Sequence, residues 1–205
     1  MKKVLVVLGV VLFSASAFAL NAVAPEEESC ASQKVAFEKY AVAQANDSFI
    51  AQHILINMAD PMEKQSDAQA MAQAVCYSTF QVRGQRLVEF VRAHADFPGD
   101  ISGREAAKMR NFADRVERLS IQGQLNAVAD QENISHIVQF ILINFADPMV
   151  KMSDYEAASL AKAYKGCHVN GQPMLEFVQA HANDFAGKVP QELNAFVQRV
   201  NKLAK

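Results

Sequence analysis

The residues of this chain with most capacity for chemistry are His94 and His181, because they recur in matching places. Each is the sixth residue of the run Glu-Phe-Val-x-Ala-His-Ala, at 89–95 and again at 176–182. An imidazole beside a carboxylate could act as a general base or hold a metal. The neighbours argue otherwise. Glu89 lies five residues before His94, about 140° around a helix, so the two do not share a face. Phe90 and Val91 do share that side, as Phe177 and Val178 do for His181. A histidine in a last helical turn is also favoured by the helix dipole. Both are therefore expected to border a core stripe. His53 and His136 are matched by Phe140 and Phe49, so neither belongs to a duplicated site.

A second recurring set is Asn57 with Asp60 and Asn144 with Asp147. They sit in "ILINMADPM" (54–62) and "ILINFADPM" (141–149), which agree at eight of nine letters, 87 residues apart. If the run is buried, each amide must find partners, since a buried unpaired group costs ~1–3 kcal/mol. The expected partner is its own core, or its counterpart across a pseudo-two-fold interface. The functional alternative makes Asn57, Asp60, Asn144 and Asp147 the polar end of an apolar pocket between two repeats.

Other chemistries lack their signatures. Cys167-His168 resembles the end of a C-x-x-C-H haem attachment run, but Tyr164 stands where the first cysteine belongs. The sequence holds no H-E-x-x-H, no Cys/His spacing for zinc, no glycine-rich phosphate loop and no G-x-S-x-G. Neither catalysis nor a cofactor is expected, and an enzyme built on His94 or His181 is the third reading.

The elements that must carry these residues are helical. The spacing predicts helices over 32–45, 47–59, 66–82, 85–96 and 103–119, then 120–131, 134–146, 153–169, 172–185 and 190–204. The apolar positions of the "ILIN" runs cover most of a helix's circumference, which predicts central, largely buried helices. Pro61 and Pro148 should end them and push the preceding Asp out of the α region. Ser66-x-x-Gln69 and Ser153-x-x-Glu156 have capping-box form, and Ser102-x-x-Glu105 could open a further helix. Gly84 and Gly171 suit a left-handed helix stop, and Pro173 a first turn.

The self-similarity continues beyond these runs. At the same offset Gly84 meets Gly171. After a slip of three, "FADRVERL" (112–119) meets "FVQRVNKL" (196–203). The expected architecture is all-α: two tandem duplicated bundles of about five helices, 31–118 and 119–205, with a helix running through the junction.

The remaining bounds concern export. Lys2-Lys3, an apolar run from Val4 to Phe13 and Ala17-Phe18-Ala19 have the layout of a cleaved signal peptide over 1–19. A flexible lead-in would follow over 20–30. Removing Lys2 and Lys3 from the 20 basic residues leaves 18 against 22 acidic, a formal charge of −4. That is no footprint for nucleic acid, and no later stretch is long and apolar enough for stable membrane insertion. In an oxidising compartment two of the three cysteines should pair. Cys30 with Cys76 is preferred, because both fall in the first half and would tie an N-terminal segment to a helix. The expectation is a periplasmic or secreted binding protein engaging a protein partner as an inhibitor, immunity-type or adaptor protein. A carrier of an apolar small molecule is the alternative, and a homo-oligomer is open.

Overall fold

The computed structural model describes residues 29–95, 103–130 and 133–205. The signal segment, the lead-in up to Glu28 and the helix start at Ser102 lie outside them.

The described chain is mostly helical, in keeping with an all-α class. Helix α1 (Cys30–Ala43) is capped by Ser29, buries Phe37 and Ala41, and carries a disulfide from Cys30 to Cys76. Asn46 caps α2 (Asp47–Ile54), accepting from the Ser48 amide at 2.8 Å. A π-helical turn, Leu55–Ala59, leads straight into α3 (Asp60–Glu63). Helix α4 (Asp67–Tyr77) opens with the Ser66/Gln69 capping box. Strands β1 (Gln81–Val82) and β2 (Gln85–Arg86) form a small hairpin before α5 (Leu87–Ala95). The long α6 (Gly103–Ala129) follows.

The order then recurs. Asn133 caps α7 (Ile134–Ile141), a π-helical turn spans Leu142–Ala146, and α8 (Asp147–Lys151) continues it. The Ser153/Glu156 capping box opens α9 (Asp154–Lys165). Strands β3 (His168–Val169) and β4 (Gln172–Pro173) pair before α10 (Met174–His181). A 3₁₀ turn (Ala182–Asp184) and α11 (Val189–Leu203) end the chain.

Three expectations are corrected. The prolines do not stop their helices. Asp60 (φ −61°, ψ −43°) and Asp147 (φ −60°, ψ −46°) remain right-handed helical. In an α-helix a proline ring meets the carbonyl four residues back. Here the register widens just before it, with the Asp60 amide bonded to the Leu55 carbonyl and the Asp147 amide to that of Leu142. The inserted residue relieves the clash and places proline in the first turn of a new α segment, where its missing N–H is not needed.

Gly84 and Gly171 do not close helices. With Arg83 (φ 51°) and Asn170 (φ 51°) they form two-residue turns, at φ 85° and 81°, between paired strands. Two successive positive φ values match the right-handed strand twist. The helices over 66–82 and 153–169 are correspondingly shorter, and Pro173 lies in β4, opposite His168.

Third, the "ILIN" runs are not buried on most sides. Ile54, Leu55 and Met58 face the core, whereas Ile56 is 55% and Ile143 62% exposed.

The core forms two clusters, one from Phe37 to Leu119 and one from Ile121 to Val200. Helix α6 passes from one to the other, with Val116 and Leu119 in the first and Ile121 and Leu125 in the second. It packs on α4 and α5 and also on α9.

Candidate functional site

The region around the two Asp-Pro turns holds most of the polar side chains singled out from the sequence. Asn57 and Asn144 are exposed, and the pairing of a buried amide with its core or its counterpart does not occur. Each donates to the backbone carbonyl four residues back: Asn57 Nδ2 to His53 at 3.0 Å, Asn144 Nδ2 to Phe140 at 2.9 Å. Each amide thus adds a donor to the turn where the backbone register changes.

Asp60 receives Lys108 Nζ from α6 at 2.7 Å, and the same ammonium lies 3.2 Å from Glu63. Those two partners hold the lysine's pKa above its ordinary value. Asp147 is exposed, and the positions matching Glu63 and Lys108 carry Val150 and Glu192.

Beside this triad is a clamp that sequence reasoning missed. Arg115 on α6 reaches the chain leaving α3, donating to the carbonyls of Met62 and Gln65 and to Asp67 Oδ1. Arg118 reaches Asp67 Oδ2 at 2.6 Å. On α11, Arg199 donates to the carbonyls of Met149 and Met152 and to Asp154 Oδ1, while Lys202 lies 3.4 Å from Asp154 Oδ2. The Arg118 and Arg115 guanidiniums hold the Asp67 carboxyl below the usual range, and Arg199 with Lys202 does so for Asp154. The signal was present: Arg115 and Arg199 match between "FADRVERL" and "FVQRVNKL". The apolar stripe alone could not show that the arginine points at a helix end.

Between α3 and α6 lies a cavity of about 110 Å³. Its floor is Ala59, Met62 and Phe112, all buried. Glu63, Lys108, Asn111 and Arg115 complete its lining. Neither Asn57 nor Asn144 lines it.

The histidines border the core as expected. His94 stacks on Phe90 (ring centroids 4.0 Å), its Nδ1 lies 2.9 Å from the Phe90 carbonyl, and its Nε2 is 3.5 Å from Asp47. His181 lies 4.8 Å from the Phe177 ring, with Nδ1 2.9 Å from Asp184. The two therefore face different carboxylates. Among the described residues no group of three or more His, Cys, Asp or Glu could hold a metal ion.

Cys30 and Cys76 are paired, with Cα atoms 5.6 Å apart. Cys167 is buried, its thiol donating to the Ala163 carbonyl at 3.2 Å and pushed up to about 12 by burial. Such a thiol stays protonated at neutral pH and is a poor nucleophile. A further group missed from sequence is Glu117, 4% exposed on α6. It is held by Arg92 at 2.8 Å and Arg86 at 3.5 Å, which compensates a carboxylate taken out of water.

Comparison with protein-family models, with curated proteins and with solved structures found no match.

Proposed function

We propose that this chain is an exported, non-catalytic helical binding protein that engages a protein partner as an inhibitor, immunity-type or adaptor protein. In this reading it is built as two tandem copies of one bundle. The paired capping boxes, π turns, hairpins and arginine clamps at matching positions support the duplication. The signal-like start supports export.

The observation that carries the binding role is apolar surface on the helices of the repeated run. Phe49 and Ile56 in the first copy, and Ile134, Ile143 and Val150 in the second, are all exposed. They lie on α2, α7, α8 and the two π turns, where apolar side chains in water are available to a partner. The cavity of about 110 Å³ weighs in the same direction, since small-molecule sites are usually ~300–1,000 Å³.

Two measurements test this. Native mass spectrometry of the protein recovered from the periplasm should give a chain beginning at Leu20 with one disulfide and no retained small molecule. A discrete mass that leaves on denaturation would overturn the reading in favour of a carrier. Photo-crosslinking groups placed at Ile56 and Ile143 should yield covalent adducts with a protein in the exporting cell. Adducts absent from both positions would overturn the binding surface.

A further inference from the structure

Resting on the protein-partner reading, we infer that the cavity between α3 and α6 is the anchor pocket, receiving one apolar side chain of a partner segment next to a basic residue. The two copies of the Asp-Pro turn supply an internal comparison. Both keep the parts the architecture needs: Ala59 and Ala146, Met62 and Met149, Phe112 and Phe196, Arg115 and Arg199. Both arginines make the same carbonyl contacts. The polar rim is not kept. Glu63, Lys108 and Asn111 become Val150, Glu192 and Ala195. The second copy therefore builds the turn without that rim, and folding alone does not call for it in the first.

Size and chemistry then name the occupant. About 110 Å³ is close to the ~150 Å³ of an engineered cavity that binds benzene, so the space suits a single apolar side chain. A floor of Ala59, Met62 and Phe112 provides the apolar contact. At the rim, Arg115 spends its donors on the carbonyls of Met62 and Gln65 and on Asp67. Lys108 is shared by two carboxylates, with Asp60 the nearer. Asn111 is exposed but uncharged, so Glu63, with its side chain 60% exposed, is the anion the rim offers. A cation beside the anchor complements it.

The test uses the mature chain labelled with ¹³C-methyl methionine and two probes, acetyl-Leu-Lys-amide and acetyl-Leu-Glu-amide. The Met62 methyl signal should shift saturably, with the Lys probe about three- to ten-fold tighter, while that of Met149 stays put. Glu63→Lys, an exposed change that spares the core, should reverse the preference. Ala59→Leu should fill the space and abolish the shift. No shift at Met62, equal affinity for both probes, or an equal shift at Met149 would overturn the pocket. Crosslinking from Ile143 separates the two claims. Adducts that persist unchanged in both variants overturn the pocket and leave the partner reading standing. Adducts absent from both Ile56 and Ile143 of the unaltered protein sink the partner reading, and the dipeptide titration still decides the pocket.

Discussion

At the scale of single residues, Arg115 and Arg199 play matching parts in the two halves of the chain. Each satisfies two carbonyls at the end of a helical turn and a carboxylate beyond it. Charged hydrogen bonds contribute roughly 1.5–3 kcal/mol each, and the carbonyls can partly recover water. Arg115→Ala and Arg199→Ala should each destabilise by about 2–4 kcal/mol in urea unfolding, and lysine should not rescue, because it lacks the planar fork. Equal stability of Arg115→Lys and the unaltered protein would refute the clamp. The same geometry sets an acid response. Asp67 has a lowered folded pKa, held down first by Arg118 and then by Arg115, against an ordinary value of 3.8. The unfolded chain therefore takes up the proton first as pH falls. The contribution is complete above about pH 4 and is lost below it, as pH passes through the folded value. Asp67→Asn should be less stable than the parent at pH 7, with the two curves converging in acid. Parallel curves down to pH 2 would contradict this. The arginines were legible only as a letter shared by two similar runs, 112–119 and 196–203. Their targets are separated by about 50 positions in sequence, which periodicity cannot bridge.

Among elements, the hairpins and the N-terminal helix make the sharpest predictions. Gly84 and Gly171 hold φ near +85° and +81° with open space where a Cβ would stand, so only backbone conformation is at stake. Alanine at either should cost about 1–2 kcal/mol, and a change below a few tenths would argue against the left-handed turn. The Asn170-Gly171 pair was a hairpin signal in the sequence. The flanking strands are two residues long, too short to show the alternation that would separate a hairpin from a helix stop. Helix α1 buries Phe37 and Ala41, accepts the Gln81 amide on Glu38, and is joined covalently to α4 by the Cys30–Cys76 bond. Closing a loop of 46 residues is worth ~4 kcal/mol in the chain-entropy model. With both cysteines changed to serine, hydrogen exchange should accelerate over residues 30–43 while α9 and α11 keep their protection. Uniform acceleration would mean that the bond supports the whole molecule.

For the whole molecule, α6 is the deciding element. Its 27 residues span about 40 Å and carry side chains of both core clusters, so neither cluster is closed without it. Gly123 lets α4 approach, since a Cβ there would meet Val75 Cγ2 at 2.8 Å. Gly123→Val should overpack this contact and destabilise by about 1–3 kcal/mol. The methyl signals of Met62 and Met149 should still report one shared unfolding midpoint, and two separate midpoints would show that the clusters unfold independently. The helical class, the two capping boxes, the continuous helix through the junction and the preferred cysteine pair were all readable from the chain alone. Each depends on residues near in sequence, on a repeat visible within it, or on there being only three cysteines. Which face of the "ILIN" helices meets water, how proline is carried inside a helix, and where Arg115, Glu117 and Lys108 find their partners were decided by tertiary structure. Apolar side chains surround those runs on several sides, so composition leaves the orientation open. Only the packing of α6 against the turn after Pro61, and of α11 against the turn after Pro148, selects the buried face and brings distant charges within hydrogen-bond reach.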